Sequence, residues 1–155
     1  MIFSFSYLLF ELIASISGSL YIAKYREDKT SRYFVCFLWF IFFTELFGTI
    51  PSLAYRADYE GLFSCVKGTF LEKSQLWLYN IQIIFSFAFY VYYFGLNYKT
   101  PRFKFNMNVL VLIYVLGAII NLIFSDVYFV KISSFSYTIG TILLFISGIL
   151  YLYET

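Results

Sequence analysis

The chain contains no histidine, two cysteines and two prolines, and only 13% of its 155 residues are charged. Each shortage excludes something. Without histidine there is no Ser–His or Cys–His nucleophile, no imidazole general base, no neutral nitrogen ligand for a metal and no imidazole pH switch. Cys36 lies in a long apolar stretch and Cys65 in a polar segment, which puts a disulfide between them out of reach. Cys36 is expected as a buried, inert thiol and Cys65 as a loop thiol. The formal net charge is +2, and no basic run is long enough to follow a phosphate backbone, so no nucleic-acid partner is expected. No metal-ligand spacing and no phosphate-cradling glycine loop occurs. The expectation is a protein with no enzymatic activity, no metal and no cofactor.

What the chain has in excess is apolar surface. Hydrophobic residues make up 61%, aromatic residues 25%, with 21 Phe and 16 Tyr, and the mean hydropathy is +0.78. Soluble domains are nearer half apolar and a quarter charged, and a chain of this size cannot hide the surplus inside one small globule. A bilayer accepts it. Five stretches reach the ~20 residues needed to cross a ~30 Å hydrocarbon core: 2–23, 33–54, 76–98, 107–124 and 132–153. Backbone groups in lipid must be satisfied within the segment, and the alternation of a membrane β-barrel is missing, so each stretch reads as a helix. The fold class expected is all-α: a single polytopic transmembrane helical bundle over 1–155, with about five spans.

Lys24, Arg26, Lys29 and Arg32 lie in the first loop and Lys99, Arg102 and Lys104 in the third, seven of the eleven basic residues. The positive-inside bias therefore puts these loops in the cytoplasm, the N-terminus outside and the C-terminus inside. The other loops hold Arg56, Lys67, Lys73 and Lys131, offset by Asp58, Glu60, Glu72 and Asp126. The first stretch lacks a basic leader and contains Glu11, so it reads as a retained helix rather than a signal peptide. External loop 55–74, with Gly61, Phe63 and Phe70, reads as a short interfacial helix or a lid. Pro51 is expected to kink or end the second helix, and Pro101 to break a cytoplasmic turn. The fifth stretch ends at Tyr153-Glu154-Thr155 without a basic anchor, which predicts that it packs against further helices, of this chain or of another subunit.

Short stretches carry a resemblance: Phe43-Thr44-Glu45-Leu46-Phe47-Gly48, Trp77-Leu78-Tyr79-Asn80-Ile81, Ile120-Asn121-Leu122, and Phe135-Ser136-Tyr137-Thr138-Ile139-Gly140-Thr141 with Leu150-Tyr151-Leu152-Tyr153-Glu154. Together they resemble a group of uncharacterised, roughly seven-helix bacterial inner-membrane proteins. The resemblance implies a multi-pass protein of the bacterial inner membrane with further helices after Thr155, and it implies no activity. Members of that group often carry an acidic residue on the third span, where this chain has Ser86.

Charge inside a membrane costs ~2.5–3.5 kcal/mol per group on insertion scales and marks a place to examine. Glu11 and Glu45 each lie nine residues from the external end of their helix, at a depth of ~13 Å. Antiparallel neighbours would bring them to one level. Stripes of small and polar residues accompany them: Ser4, Glu11, Ser15 and Gly18; Glu45, Gly48 and Ser52; Gln82, Ser86, Tyr90, Tyr93 and Asn97; Tyr114, Gly117 and Asn121; Ser133, Tyr137, Gly140 and Gly148. Such stripes are expected to be the helix-packing faces. The candidate intramembrane cluster is thus Glu11, Glu45, Gln82, Ser86, Asn121 and Tyr137. One reading is a structural seam in a partner-binding or sensor-like module, with protonated carboxyl groups bonded to Gln82, Ser86 or Tyr137. A second is a proton or cation conductor using the two carboxylates. A third is a small-ligand pocket open to the outside, rimmed by Trp77, Asn80 and loop 55–74.

Overall fold

The computed structural model describes residues 2–58, 61–69, 74–125, 127–128 and 130–154. Glu60, Phe70, Glu72, Lys73, Asp126 and Thr155, and the side chains of Ser4 and Phe63, lie outside the described residues. Five α-helices account for most of the remainder: α1 (Ile2–Lys24), α2 (Lys29–Arg56), α3 (Leu76–Leu96), α4 (Pro101–Phe124) and α5 (Ser134–Glu154). All five are long and apolar enough to cross a membrane, and no strand occurs among the described residues. The fold class is all-α and polytopic. Helices divide into two compact units, Met1–Lys73 and Ser74–Thr155.

In the first unit α1 packs on α2. The helices approach closely at Gly18, where a Cβ would sit 2.8 Å from a Val35 methyl. Ser15 beside it is fully buried and returns its hydroxyl to the Glu11 carbonyl, at 2.8 Å. Trp39 of α2 donates its indole N–H to Ser19 of α1, at 2.9 Å. The small-residue stripe of α1 is therefore a packing face at Ser15 and Gly18, and Gly48 of α2 is buried as well. Ser52 is exposed.

The first loop is shorter than the residue pattern suggested, because α2 starts at Lys29 rather than Tyr33. Asp28 is its N-cap: the carboxylate accepts from the Ser31 amide at 3.0 Å and the Ser31 hydroxyl at 2.5 Å. These bonds, the hydroxyl first, hold its pKa below the ordinary aspartate value. Pro51 does not end α2; it lies inside a helix that runs on to Arg56. Spanning helices tolerate such an interruption when freed backbone groups find other partners. The chain turns away where Asp58 takes φ 49°. Of the second loop, Gly61–Val66 forms a 3-10 helix. Neither cysteine is in a disulfide, and Cys36 is exposed rather than buried, although its neighbours Val35 and Phe37 are turned inward.

In the second unit α3, α4 and α5 pack on one another in all three pairings. Pro101 opens α4 rather than breaking a turn: its missing N–H is one of the orphans of a helix N-terminus and its fixed φ suits the first turn. That moves the start of α4 six residues ahead of Met107. Glu154 at the end of α5 anchors the same corner. Its carboxylate accepts from the backbone amides of Lys99, at 2.9 Å, and Thr100, at 3.2 Å. The last helix thus has an anionic anchor on a neighbouring helix start where a cation was expected. Tyr98 completes the corner by donating to the Ser147 carbonyl at 3.0 Å, with the Ser147 hydroxyl 2.7 Å away. The apolar core between the three helices includes Ile84, Val91, Met107, Ala118, Leu122 and Leu143.

Candidate functional site

The polar residues that matter in the second unit are gathered at the other end, where α4 leads through residues 125–133 into α5. Asn80, one turn into α3, is fully buried. Its amide nitrogen donates to the Tyr128 carbonyl at 3.3 Å and the Lys131 carbonyl at 3.1 Å. Its oxygen accepts from the Ser133 amide at 2.8 Å. One side chain so satisfies three backbone groups of a connecting loop some fifty residues away, in a setting where unpaired backbone groups are costly.

Ser133, also buried, extends the network. Its hydroxyl donates to Asn121 Oδ1 at 3.2 Å and accepts from the amide and hydroxyl of Ser136, at 3.2 and 3.0 Å. Tyr114 of α4 donates to the Ser136 carbonyl at 3.0 Å. That reach depends on Gly140, because a Cβ there would lie 2.9 Å from the Tyr114 hydroxyl and 2.5 Å from Phe87 Cγ. Asn80, Tyr114, Asn121, Ser133 and Ser136 form one hydrogen-bonded lock across three helices. None of them is a carboxylate, and the Ser133 hydroxyl spends its donor and both lone pairs inside the lock.

Beside the lock, α3 and α4 part to leave an apolar groove of about 1020 Å³. Its walls include Ile81, Phe85 and Ala88 from α3 and Val115, Ile119 and Ile123 from α4; its roof is Ser125, Tyr128 and Val130. The roof is the loop that Asn80 holds through Tyr128 and Lys131. A smaller groove of about 590 Å³ lies between α3 and α5, lined by residues such as Tyr90, Phe94 and Phe145.

The six candidate residues separate between the units. Glu11 on α1 and Glu45 on α2 both belong to the first unit, and both are half-buried. Glu11 Oε2 is shielded from solvent with no hydrogen-bond partner among the described residues. Asn121 belongs to the lock. Gln82 and Ser86 are half-buried on α3, two residues on from the buried Asn80 and Ile84. Tyr137 is 58% exposed, its ring edge-on to Phe87 at 5.7 Å. The buried face of α5 is Ser136, Gly140, Leu143 and Ser147, preceded by Ser133.

Sequence reasoning put Asn80 at the rim of an external pocket and missed it as the centre of the lock. A signal was present, since an amide near the mouth of an apolar helix has to find partners there. No group of three or more His, Cys, Asp or Glu side chains suited to a metal is gathered among the described residues. The chain matches no protein-family model, no curated protein and no solved structure.

Proposed function

We propose that the chain is a multi-pass protein of the bacterial inner membrane, N-terminus outside and C-terminus inside, which acts as a non-catalytic, sensor-like binding module. The binding element in this reading is the α3–α4 groove, and its ligand or partner enters laterally from the bilayer. The observation that carries the reading is the pairing of a large apolar groove with a roof whose backbone is locked by Asn80. The lock consumes Asn80, Asn121 and Ser133 beside the groove, and a lining that is mostly hydrocarbon selects chiefly by shape and apolar contact. Such a groove takes up an apolar molecule without chemistry.

The test is a photoactivated apolar carbene probe applied to the chain in lipid nanodiscs, followed by peptide mapping. Saturable labelling concentrated on Phe85 and Ile119 is expected. Labelling that never saturates, and that falls equally on exposed α5 residues such as Phe135 and Ile142, would leave the groove as ordinary lipid-facing surface. Orientation is read separately: a membrane-impermeant maleimide should tag Cys65 from outside in a Cys36→Ser background, and tagging only from the cytoplasmic face would reverse the topology.

A second reading rests on a different observation, the shielded Glu11 Oε2 in the unit that also carries Glu45. Two carboxyl groups at mid-membrane depth are the parts of a proton or cation relay. Glu11→Gln and Glu45→Gln keep the hydrogen bonds and remove the charge. In proteoliposomes carrying a pH-sensitive dye, a conductor loses its flux in both variants, whereas a binding module shows none to lose.

A further inference from the structure

We infer that the α3–α4 groove holds one acyl chain of an anionic phospholipid drawn from the leaflet on the Asn80 side, with Lys131 supplying the charge that its phosphate meets. The inference rests on the groove being a binding element and adds the identity of the occupant.

Length argues for the acyl chain. From Ile81 to Ala88 the α3 wall advances seven residues, ~10 Å, and from Val115 to Ile123 the α4 wall advances eight, ~12 Å. Half of a ~30 Å hydrocarbon core is ~15 Å. The groove therefore covers most of the depth of one leaflet, as an acyl chain does, whereas a partner helix crossing the membrane needs ~30 Å. Composition agrees, since Ile81, Phe85, Ile119 and Ile123 offer a wall of hydrocarbon.

Charge argues for the anionic head. The roof loop runs past the lining residue Val130 directly into Lys131, which is exposed. Its backbone carbonyl is held by the 3.1 Å bond from Asn80, so the flexible side chain starts from a fixed point one residue past the groove lining. A basic residue near an anionic membrane surface is worth up to about fivefold in favour of anionic lipid, the upper figure because Asp126 of the same loop opposes it.

The experiment is native mass spectrometry of the full chain released from nanodiscs of phosphatidylglycerol, phosphatidylcholine or an equal mixture of the two. One phosphatidylglycerol retained per chain, up to about fivefold over phosphatidylcholine in the mixture, is expected. Lys131→Gln, an exposed substitution that should not disturb folding, removes the preference; Ala88→Trp, which fills the groove, removes retention. Ile119→Phe repeats the second measurement from the opposite wall if the Ala88 variant does not fold. Equal retention of both lipids, unchanged in Lys131→Gln, overturns the headgroup assignment and leaves the groove as an apolar binding element. No retained lipid alongside saturable carbene labelling of the groove means that the occupant is not a phospholipid. Retention unaffected by filling the groove places the lipid elsewhere and overturns the assignment altogether.

Discussion

Asn80→Ala is the substitution that tests the lock most directly. The wild-type amide makes three hydrogen bonds to the backbone of the loop, at 2.8, 3.1 and 3.3 Å. Side-chain hydrogen bonds in membrane helices are worth ~0.6 kcal/mol on average and up to ~1.7, so three of them bracket the loss at about 2–5 kcal/mol. Water decides the position within that bracket. Lys131 is exposed and Tyr128 half-buried, so their carbonyls can be rehydrated, but the Ser133 residue is buried and its amide cannot. The expected loss is therefore near the lower end, about 2–3 kcal/mol. Asn80→Asp retains the acceptor but sets a carboxylate oxygen against the Tyr128 and Lys131 carbonyls in a buried site, so at neutral pH it should cost at least as much as alanine. Reversible unfolding in a mixed-micelle denaturant titration measures the loss, and hydrogen exchange at residues 130–133 locates it. A loss below ~0.5 kcal/mol, with unchanged exchange in the loop, would mean that the lock does not hold the roof.

Gly140→Ala should destabilise the second unit by about 1–3 kcal/mol, the usual cost of overpacking, since the new methyl meets Phe87 and the Tyr114 hydroxyl; Gly148→Ala, where a Cβ meets nothing within 4 Å, should stay within about 0.5 kcal/mol. Equal effects in the same unfolding titration would refute the close approach. Asp28→Ala should raise hydrogen exchange over the first turn of α2. Because its folded pKa is lowered by Ser31, the cap is fully present above the ordinary aspartate value of 3.8 and is lost as pH falls through the folded value; Asp28→Ser, which caps without ionising, should flatten that acid dependence. Burial first, and the Glu154 charge after it, raise the Tyr98 pKa above 10.0, against the Ser147 bond. Its contribution is complete below pH 10 and disappears as pH rises through the folded value, so Tyr98→Phe should lose stability at neutral pH and show a shallower alkaline decline than wild type.

What could be read from the sequence divides along a physical line. Apolar length alone sets the number and type of the helices, because lipid leaves the backbone no other way to satisfy itself, and all five long helices fall where the apolar stretches are. Helix starts are set instead by local capping: Asp28 with Ser31 and Pro101 at a first turn were both legible as N-terminal signals, but the charged residues beside them read as loop under the positive-inside bias. The packing faces followed a third rule. On α3 the residues of the stripe Gln82, Ser86, Tyr90 and Tyr93 are half-buried, whereas Asn80, outside the stripe, is fully buried and carries the bonds to the loop. On α5 Ser133 and Gly140 of the expected stripe are buried, and the other two positions move by one residue, from Tyr137 to Ser136 and from Gly148 to Ser147. Ser136, not Tyr137, is turned inward, because the buried positions have to bring Gly140 under Phe87 and Tyr114. A seryl hydroxyl and a bare glycine fit a three-helix contact that a phenol ring would hold apart. The location of the lock is therefore a consequence of volume, which a one-dimensional pattern of polarity does not carry.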